Sequence, residues 1–173
     1  MRVSLIYARS NTSIQPPLGL LWIAAVLEQD GHHVQLVDPL PGDERSVDDV
    51  ERFAPDLVGL SILTTEYPRA RQLTQTLKKR LPTARYCAGG VHPTALPAET
   101  MADLGLDFVV VGEGERTMQE VCERLANGSR LGEVRGLVLP VNGKAVPTGP
   151  RPQSPIWTSY PCRQGTSSTW SGI

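Results

Sequence analysis

The sequence has few cysteines, few aromatic residues and almost no net charge. Its three cysteines, Cys87, Cys122 and Cys162, lie far apart, so their spacing fits neither a disulfide framework nor a zinc site. The 17 basic and 18 acidic side chains leave a formal net charge of −1, which argues against binding to nucleic acid or a membrane surface. We therefore expect a cytoplasmic protein with reduced thiols and with neither nucleic acid nor membrane as a partner.

Long hydrophobic runs and the common nucleotide-binding motifs are also missing. No apolar run approaches the roughly 20 residues that span a bilayer, and the run at residues 3–8 is too short for a signal peptide. Neither a G-x-G-x-x-G sequence after this run nor a Walker lysine motif is present, which disfavours a nicotinamide cofactor in its usual place. The 173 residues suffice for one compact domain.

Apolar runs of strand length alternate five times with segments of helical period. The predicted strands are residues 3–8, 33–37, 56–63, 84–88 and 108–111; the predicted helices run from 18 to the Asp30-Gly31 pair and over 46–53, 68–81, 98–104 and 115–126. The third run is almost entirely apolar, as is typical of a central strand buried on both faces. The alternation predicts a doubly wound, flavodoxin-like (Rossmann-like) α/β domain with a parallel five-stranded sheet in the order 2-1-3-4-5.

The pattern changes after residue 128. Residues 134–139 and 145–146 flank an Asn142-Gly143 turn, which predicts a C-terminal β-hairpin. From Thr148 onward the composition shifts to Gly, Pro, Ser and Thr. We therefore predict a domain over residues 1–147, followed by a linker or disordered tail over 148–173.

Glycine and hydroxyl side chains follow several of the predicted strands. In an open parallel sheet, ligands bind beyond the carboxyl ends of the strands, where the strand order reverses. Gly89-Gly90 follows the fourth strand and Gly112-Glu113-Gly114 the fifth, and glycine lets a ligand approach the backbone closely. Each also has a simpler interpretation: a tight turn for the glycines and solvent exposure for Glu113.

The spacing of two motifs is more specific than either alone. Ser61-Ile62-Leu63 is followed 28 positions later by Gly89-Gly90, which matches the S-x-L…G-G half of the cobalamin-binding motif. Further segments in the same order are residues 16–21, 55–61, 89–94 and 110–115, then the hairpin. Over about residues 1 to 145 the chain resembles the cobalamin-binding domains that precede the catalytic barrel in cobalamin-dependent radical SAM enzymes.

The resemblance implies a cobalamin site at the strand ends. The nucleotide tail of cobalamin would enter beside the third and fourth strands, where Ser61 would meet the tail base and Gly89-Gly90 would leave room for it. The loops after the first, third, fourth and fifth strands would support the corrin. The implied cofactor-binding residues are Ser13, Ser61, Leu63, Thr64, Gly89, Gly90, His92, Gly112, Glu113 and Gly114.

One half of the family's motif is absent. The D-x-H-x-x-G sequence, whose histidine replaces the tail base on cobalt, does not occur, so we expect no protein histidine ligand to the cobalt. His92 is the nearest candidate, although a loop or helix-entry role suits its position better. His32 and His33 precede the second strand, at the opposite end of the sheet. Asp38 could accept a hydrogen bond from a ligand amide or cap its loop.

The sequence also lacks the closely spaced C-x3-C-x2-C cysteines of radical SAM enzymes. We therefore predict no iron–sulfur cluster, no metal-ligating side chains and no catalytic residues in this chain, which would be a truncated product or a separate binding subunit. The predicted function is a module that presents cobalamin to a radical SAM catalytic domain or subunit, in methyl transfer or related chemistry. The alternatives are a ligand-free regulatory or interaction domain of the same fold, and an enzyme that uses a nucleotide or flavin.

Overall fold

The computed structural model describes residues 1–9, 16–39 and 44–152 and contains one sheet in that part of the chain. The strands are β1 (Arg2–Tyr7), β2 (His33–Val37), β3 (Leu57–Ser61), β4 (Arg85–Gly89), β5 (Phe108–Val110), β6 (Leu137–Val141) and β7 (Lys144–Pro147). Their order across the sheet is β2-β1-β3-β4-β5-β6-β7, and the first five are parallel. The predicted flavodoxin-like fold is confirmed.

Helices cover both faces of the sheet. They are α1 (Leu18–Gln29), α2 (Glu44–Phe53), α3 (Tyr67–Arg80), α4 (Val91–Ala95), α5 (Pro97–Leu104) and α6 (Glu115–Ala126). Apolar side chains of α1 and α6 share one hydrophobic cluster with the sheet, and those of α2, α3 and α5 share the other. No helix in the described ranges is long and apolar enough to cross a membrane.

The C-terminal hairpin extends the sheet instead of standing apart from it. Strand β6 pairs antiparallel with β5, and β7 pairs with β6, so the sheet has seven strands instead of the predicted five. The hairpin covers the backbone groups that β5 would otherwise expose at an edge. Its first strand begins at Leu137, later than predicted, because Val134 closes a turn of 3₁₀ helix and Gly136 has a φ of +83°.

The short helix α4 was not predicted from the sequence. It occupies only five residues and contains Pro93, so it offers too few positions for a helical hydrophobic period. Gly90 caps it with a φ of +99°, a conformation that residues with a side chain rarely adopt. This helix turns the chain sharply away from the end of β4.

The described residues after 147 form hydrogen bonds with the rest of the domain. The Thr148 amide donates to the Leu137 carbonyl oxygen at 2.9 Å, and Gly149 accepts a bond from the Gly136 amide at 2.9 Å. Arg151 donates two bonds to the Glu120 carboxylate, at 2.9 and 2.7 Å. The predicted division of the chain at residue 147 stays a prediction, and residues 153–173 lie outside the described part.

Candidate functional site

A cavity of about 280 Å³ opens at the carboxyl ends of the central strands, between the sheet and helices α1 and α6. Strand β1 connects to β2 on one side and pairs with β3 on the other, so this is the point where the strand order reverses. Ligands of doubly wound folds bind in this crevice. The cavity therefore lies where the sequence predicted a site.

Two rows of residues form the sheet side of the cavity. The deep row is Leu5, Gly59 and Cys87, which stand opposite one another on β1, β3 and β4. The outer row lies two residues further along the same strands, nearer their carboxyl ends, and consists of Tyr7, Ser61 and Gly89. The hydroxyl groups of the sheet side thus belong to the outer row, and the deep row is apolar apart from one thiol.

Gly59 gives the cavity its depth. A Cβ atom at this position would lie 3.1 Å from Leu5 Cδ2 and 3.4 Å from Cys87 Sγ, so a side chain here would crowd two other residues that line the cavity. Gly59 was not among the site residues predicted from the sequence. The available signal was a glycine inside a buried apolar strand, which often marks a close approach of a ligand or of another backbone.

The helices supply the opposite side. Ile23 of α1 and Met118 of α6 line the cavity, and Gly114 lies at the start of α6. A Cβ atom at Gly114 would come within 2.8 Å of Ile23 Cδ1, so any larger residue at that position would force the Ile23 side chain to shift. Ile23 and Met118 were not predicted either, because only the packing of the helices brings them to the strand ends.

Six of the ten predicted cofactor-binding residues line the cavity: Ser61, Gly89, Gly90, Gly112, Glu113 and Gly114. Leu63, Thr64 and His92 do not line it. Leu63 is half-buried and Thr64 is exposed, at the start of a 3₁₀ turn after β3. Ser13 lies outside the described residues. The assignment of all ten as cofactor-binding residues stays a prediction.

Gly90 has a structural role as well as a position in the cavity wall. With its φ of +99°, a side chain there would be strained, and a Cβ would lie 3.0 Å from the Ile62 carbonyl oxygen. The next turn is held separately: the Gly112 amide donates to Thr94 Oγ1 at 3.1 Å, which ties the end of β5 to α4. The Gly-Gly motif therefore serves as a tight turn into a helix and also borders the cavity.

None of the three histidines, all of which lie in the described ranges, lines the cavity. His92 is buried, with its ring centroid 4.2 Å from that of Tyr67 and its Nδ1 3.4 Å from Thr64 Oγ1. The imidazole of His32 lies 3.3 Å from the amino-terminal nitrogen, and its pKa is lowered by burial and then by that ammonium group. His33 begins β2, at the amino-terminal edge of the sheet.

Two acidic groups near the strand ends, Asp38 and Glu115, have raised pKa values. Asp38 forms an ion pair with Arg9 at 3.0 Å, and burial raises the pKa of Asp38 although Arg9 opposes the shift. At the cavity itself, burial raises the pKa of Glu115, and the neighbouring charge of Glu113 acts in the same direction. The Glu115 carboxylate therefore takes up a proton more readily than an exposed carboxylate would.

The two cysteines in the described residues are free and buried. Burial raises the pKa of Cys87 well above its ordinary value and that of Cys122 to about 12, so both are neutral thiols at physiological pH. Cys87 thus contributes an uncharged surface to the deep row. No group of three or more histidine, cysteine, aspartate or glutamate side chains is arranged to hold a metal ion within the described part.

The size and lining of the cavity suit one planar ring system better than a macrocycle. Pockets that enclose a drug-sized ligand usually measure about 300–1,000 Å³, so this cavity lies just below that range. Its interior is mainly apolar, and the Ser61 hydroxyl and two glutamates lie toward the strand ends. In size and polarity this lining fits the nucleotide tail of a cobalamin.

Comparison with known proteins gives relatives over most of the chain. It is 31% identical to an uncharacterized methyltransferase of Pyrococcus horikoshii, covering 88% of this chain and 35% of that protein. It is 34% identical to the anaerobic magnesium-protoporphyrin IX monomethyl ester cyclase of a Synechocystis strain, covering 79% of this chain and 29% of that enzyme. The chain therefore spans about a third of the length of these relatives.

A solved structure and a family model point the same way. One similar structure is that of the radical S-adenosylmethionine methyltransferase TsrM from Kitasatospora setae, solved with cobalamin and a 4Fe–4S cluster bound. It superposes with a TM-score of 0.78 over 86% of this chain and 30% of that one. The sequence identity is 19%, so this similarity shows a shared fold. The family model described as the B12 binding domain matches residues 5–122, which is more than half of the chain. The protein therefore belongs to the B12-binding domain family, as its resemblance predicted.

Proposed function

We propose that this domain binds cobalamin with the nucleotide tail in the cavity, and that it presents the corrin to a radical SAM catalytic domain or subunit. The observation that carries this proposal is the cavity at the switch point of a B12-binding fold, with Gly59 of the central strand in its lining. A ligand-free domain would gain stability if side chains from the surrounding elements filled this cavity. This cavity therefore argues against the alternative of a ligand-free regulatory domain.

The residues of this chain would bind and orient the cofactor. Ser61 is half-buried in the outer row, where its hydroxyl can form a hydrogen bond with the tail base as it enters. Gly89 and the turn at Gly112 leave the backbone of β4 and β5 accessible, so the edge of the corrin can lie against it. Because the D-x-H-x-x-G motif is absent and His92 is buried against Tyr67, we propose that the cobalt has no protein histidine ligand.

Bound cobalamin would supply a cobalt centre that carries a methyl group. The catalytic groups would come from another domain or subunit, because the chain spans only about a third of its relatives, one of which is named a methyltransferase. The structural neighbour TsrM combines the same fold with radical SAM methyl transfer in one chain. We propose methyl transfer or a related reaction for the assembled enzyme, and a cytoplasmic location for it.

The test is retention of cobalamin by the purified protein. The protein is mixed with hydroxocobalamin at micromolar concentration and desalted, and its visible spectrum is recorded. We expect the corrin bands to remain with the protein at near-stoichiometric ratio. Loss of the bands on desalting would contradict the proposal, and a yellow protein as isolated would indicate a flavin instead.

A matched pair of glycine variants locates the binding site. Gly19 lines the cavity and Gly132 does not, yet neither has a neighbour within 4 Å of where a Cβ would lie, nor a positive φ. Gly19→Phe adds bulk beside the cavity and replaces a poor helix former in α1, so we expect the variant to fold and to lose retained cobalamin. Gly132→Phe is the control and should retain as much cobalamin as the unmodified protein.

A further inference from the structure

The deep row offers almost no hydrogen-bonding capacity. Leu5, Gly59 and Cys87 pair through the backbone ladders of β1, β3 and β4, so their amide and carbonyl groups are already engaged. Leu5 contributes methyl groups and Cys87 a thiol, and Gly59 has no side chain. Burial keeps that thiol neutral, and sulfur is a weak donor and acceptor.

The helix side of the deep part is equally apolar. Ile23 and Met118 face the sheet here, and Met118 is buried in the same hydrophobic cluster as Leu5 and Cys87. Among the described residues, the lining side chains with oxygen atoms belong to the outer row or to the segment that begins α6: Tyr7, Ser61, Glu113 and Glu115. Polarity in the cavity is therefore graded from its outer part to its apolar end.

We propose that this gradient selects corrinoids by their lower base, favouring an apolar benzimidazole over a purine; the inference rests on the proposed function. A dimethylbenzimidazole ring presents methyl groups at the end that enters first, and these match the deep row. Adenine would bring an exocyclic amine and ring nitrogens to the same place, where they would lose their water without gaining partners. The cofactor would thus be cobalamin itself and not an adenine-containing relative.

The experiment compares three corrinoids on the full chain by equilibrium titration of the visible spectrum. Cobalamin carries dimethylbenzimidazole, pseudocobalamin carries adenine, and cobinamide has the same corrin but no nucleotide tail. We expect pseudocobalamin to bind about 10- to 100-fold more weakly than cobalamin, the range in which an apolar pocket discriminates against added polar groups. Cobinamide should bind more weakly than cobalamin because it leaves the cavity empty.

The possible outcomes distinguish base selection from the proposed binding of cobalamin. Equal affinity for cobalamin and pseudocobalamin, with weaker binding of cobinamide, would overturn base selection and leave the tail in the cavity. Equal affinity for all three would overturn base selection and also the tail position, since the tail would then contribute nothing. Failure of every corrinoid to bind would overturn the proposed function.

Two cysteine variants test the role of the deep row directly. Cys87→Ser places a hydroxyl at the end of the cavity, so we expect the preference for cobalamin over pseudocobalamin to shrink by about threefold or more. Cys122→Ser introduces the same change at another buried thiol of the cluster, outside the cavity lining. The preference of this variant for cobalamin over pseudocobalamin should be unchanged. If both variants reduced the preference equally, the cause would be a general loss of core packing, and the assignment to Cys87 would be overturned.

Discussion

Gly59 stands opposite Leu5 on the neighbouring strand, and a Cβ atom at Gly59 would lie 3.1 Å from Leu5 Cδ2. That contact is tight, but it involves the end of a side chain that can rotate. Gly59→Ala should therefore fold, with a loss of stability of about 1 kcal/mol from overpacking. With the tail base bound in the cavity as proposed, the added methyl would take up part of the space available to that base.

We expect Gly59→Ala to weaken cobalamin binding by about tenfold, because the new methyl displaces the ring from its best packing. Cobinamide binding should not change, since cobinamide has no tail to place in the cavity. Titrations of both corrinoids against the variant measure the two effects. A parallel loss of affinity for both would mean that the substitution disturbs the whole domain, and the prediction would fail.

The position of the cavity was predictable from the sequence, but its shape was not. Ser61, Gly89 and the Gly112 turn follow from a simple rule, that parallel strands present their carboxyl ends at one edge. Gly59, Ile23 and other deep residues belong to the interior, where the sequence pattern indicates burial but not which side chains leave a gap. Cavities arise from the packing of helices on a sheet, and one sequence does not specify that packing.

Local features of the fold were predicted correctly, whereas features that depend on long-range packing were not. The Asn142-Gly143 turn correctly predicted a hairpin, because that dipeptide suits the left-handed conformations that a tight turn needs. Whether the hairpin would join the sheet depended on the free edge of β5, which is a long-range property. His92 shows the same limit: its contact with Tyr67 comes from the packing of α4 near the start of α3, far away in the sequence.

The close contact between α1 and α6 leads to a prediction about stability. Because a Cβ at Gly114 would lie 2.8 Å from Ile23 Cδ1, Gly114→Ala should lower the free energy of unfolding by about 1–3 kcal/mol. Ile23→Val removes the atom in conflict, so the double variant should recover part of that loss. Urea unfolding of the four proteins measures the coupling, and strictly additive effects would contradict the proposed clash.

The raised pKa of Glu115 predicts how stability depends on pH. Because burial disfavours its charged form, the folded protein binds the proton more tightly than the unfolded chain does. The contribution of Glu115 to the free energy of unfolding therefore falls as the pH rises from the ordinary carboxyl pKa through the raised value. Above the raised value this contribution stays low. Glu115→Gln should stabilise the protein at pH 7 relative to pH 4, measured by unfolding at both values. Glu123→Gln on the same helix is the control, and an equal gain in that variant would rule out the burial effect.

The bond between Arg151 and Glu120 predicts the opposite pH dependence. Arg151 donates two hydrogen bonds to the Glu120 carboxylate, and these bonds are the main cause of the lowered pKa of that carboxyl group. The stabilisation is therefore present above the ordinary carboxyl pKa and is lost as the pH falls through the lowered value. Glu120 is partly exposed, so we expect the pair to contribute about 1 kcal/mol or less.

A double-mutant cycle with Arg151→Met and Glu120→Gln measures this contribution and tests where the domain ends. At pH 7 the coupling free energy between the two substitutions should be favourable, and below the lowered pKa of Glu120 it should approach zero. Arg151 also donates to the Arg135 carbonyl oxygen, at 3.3 and 3.2 Å, so Arg151→Met should cost more stability than Glu120→Gln. Absence of coupling at both pH values would mean that the Arg151–Glu120 pair contributes nothing to stability, which would contradict the prediction.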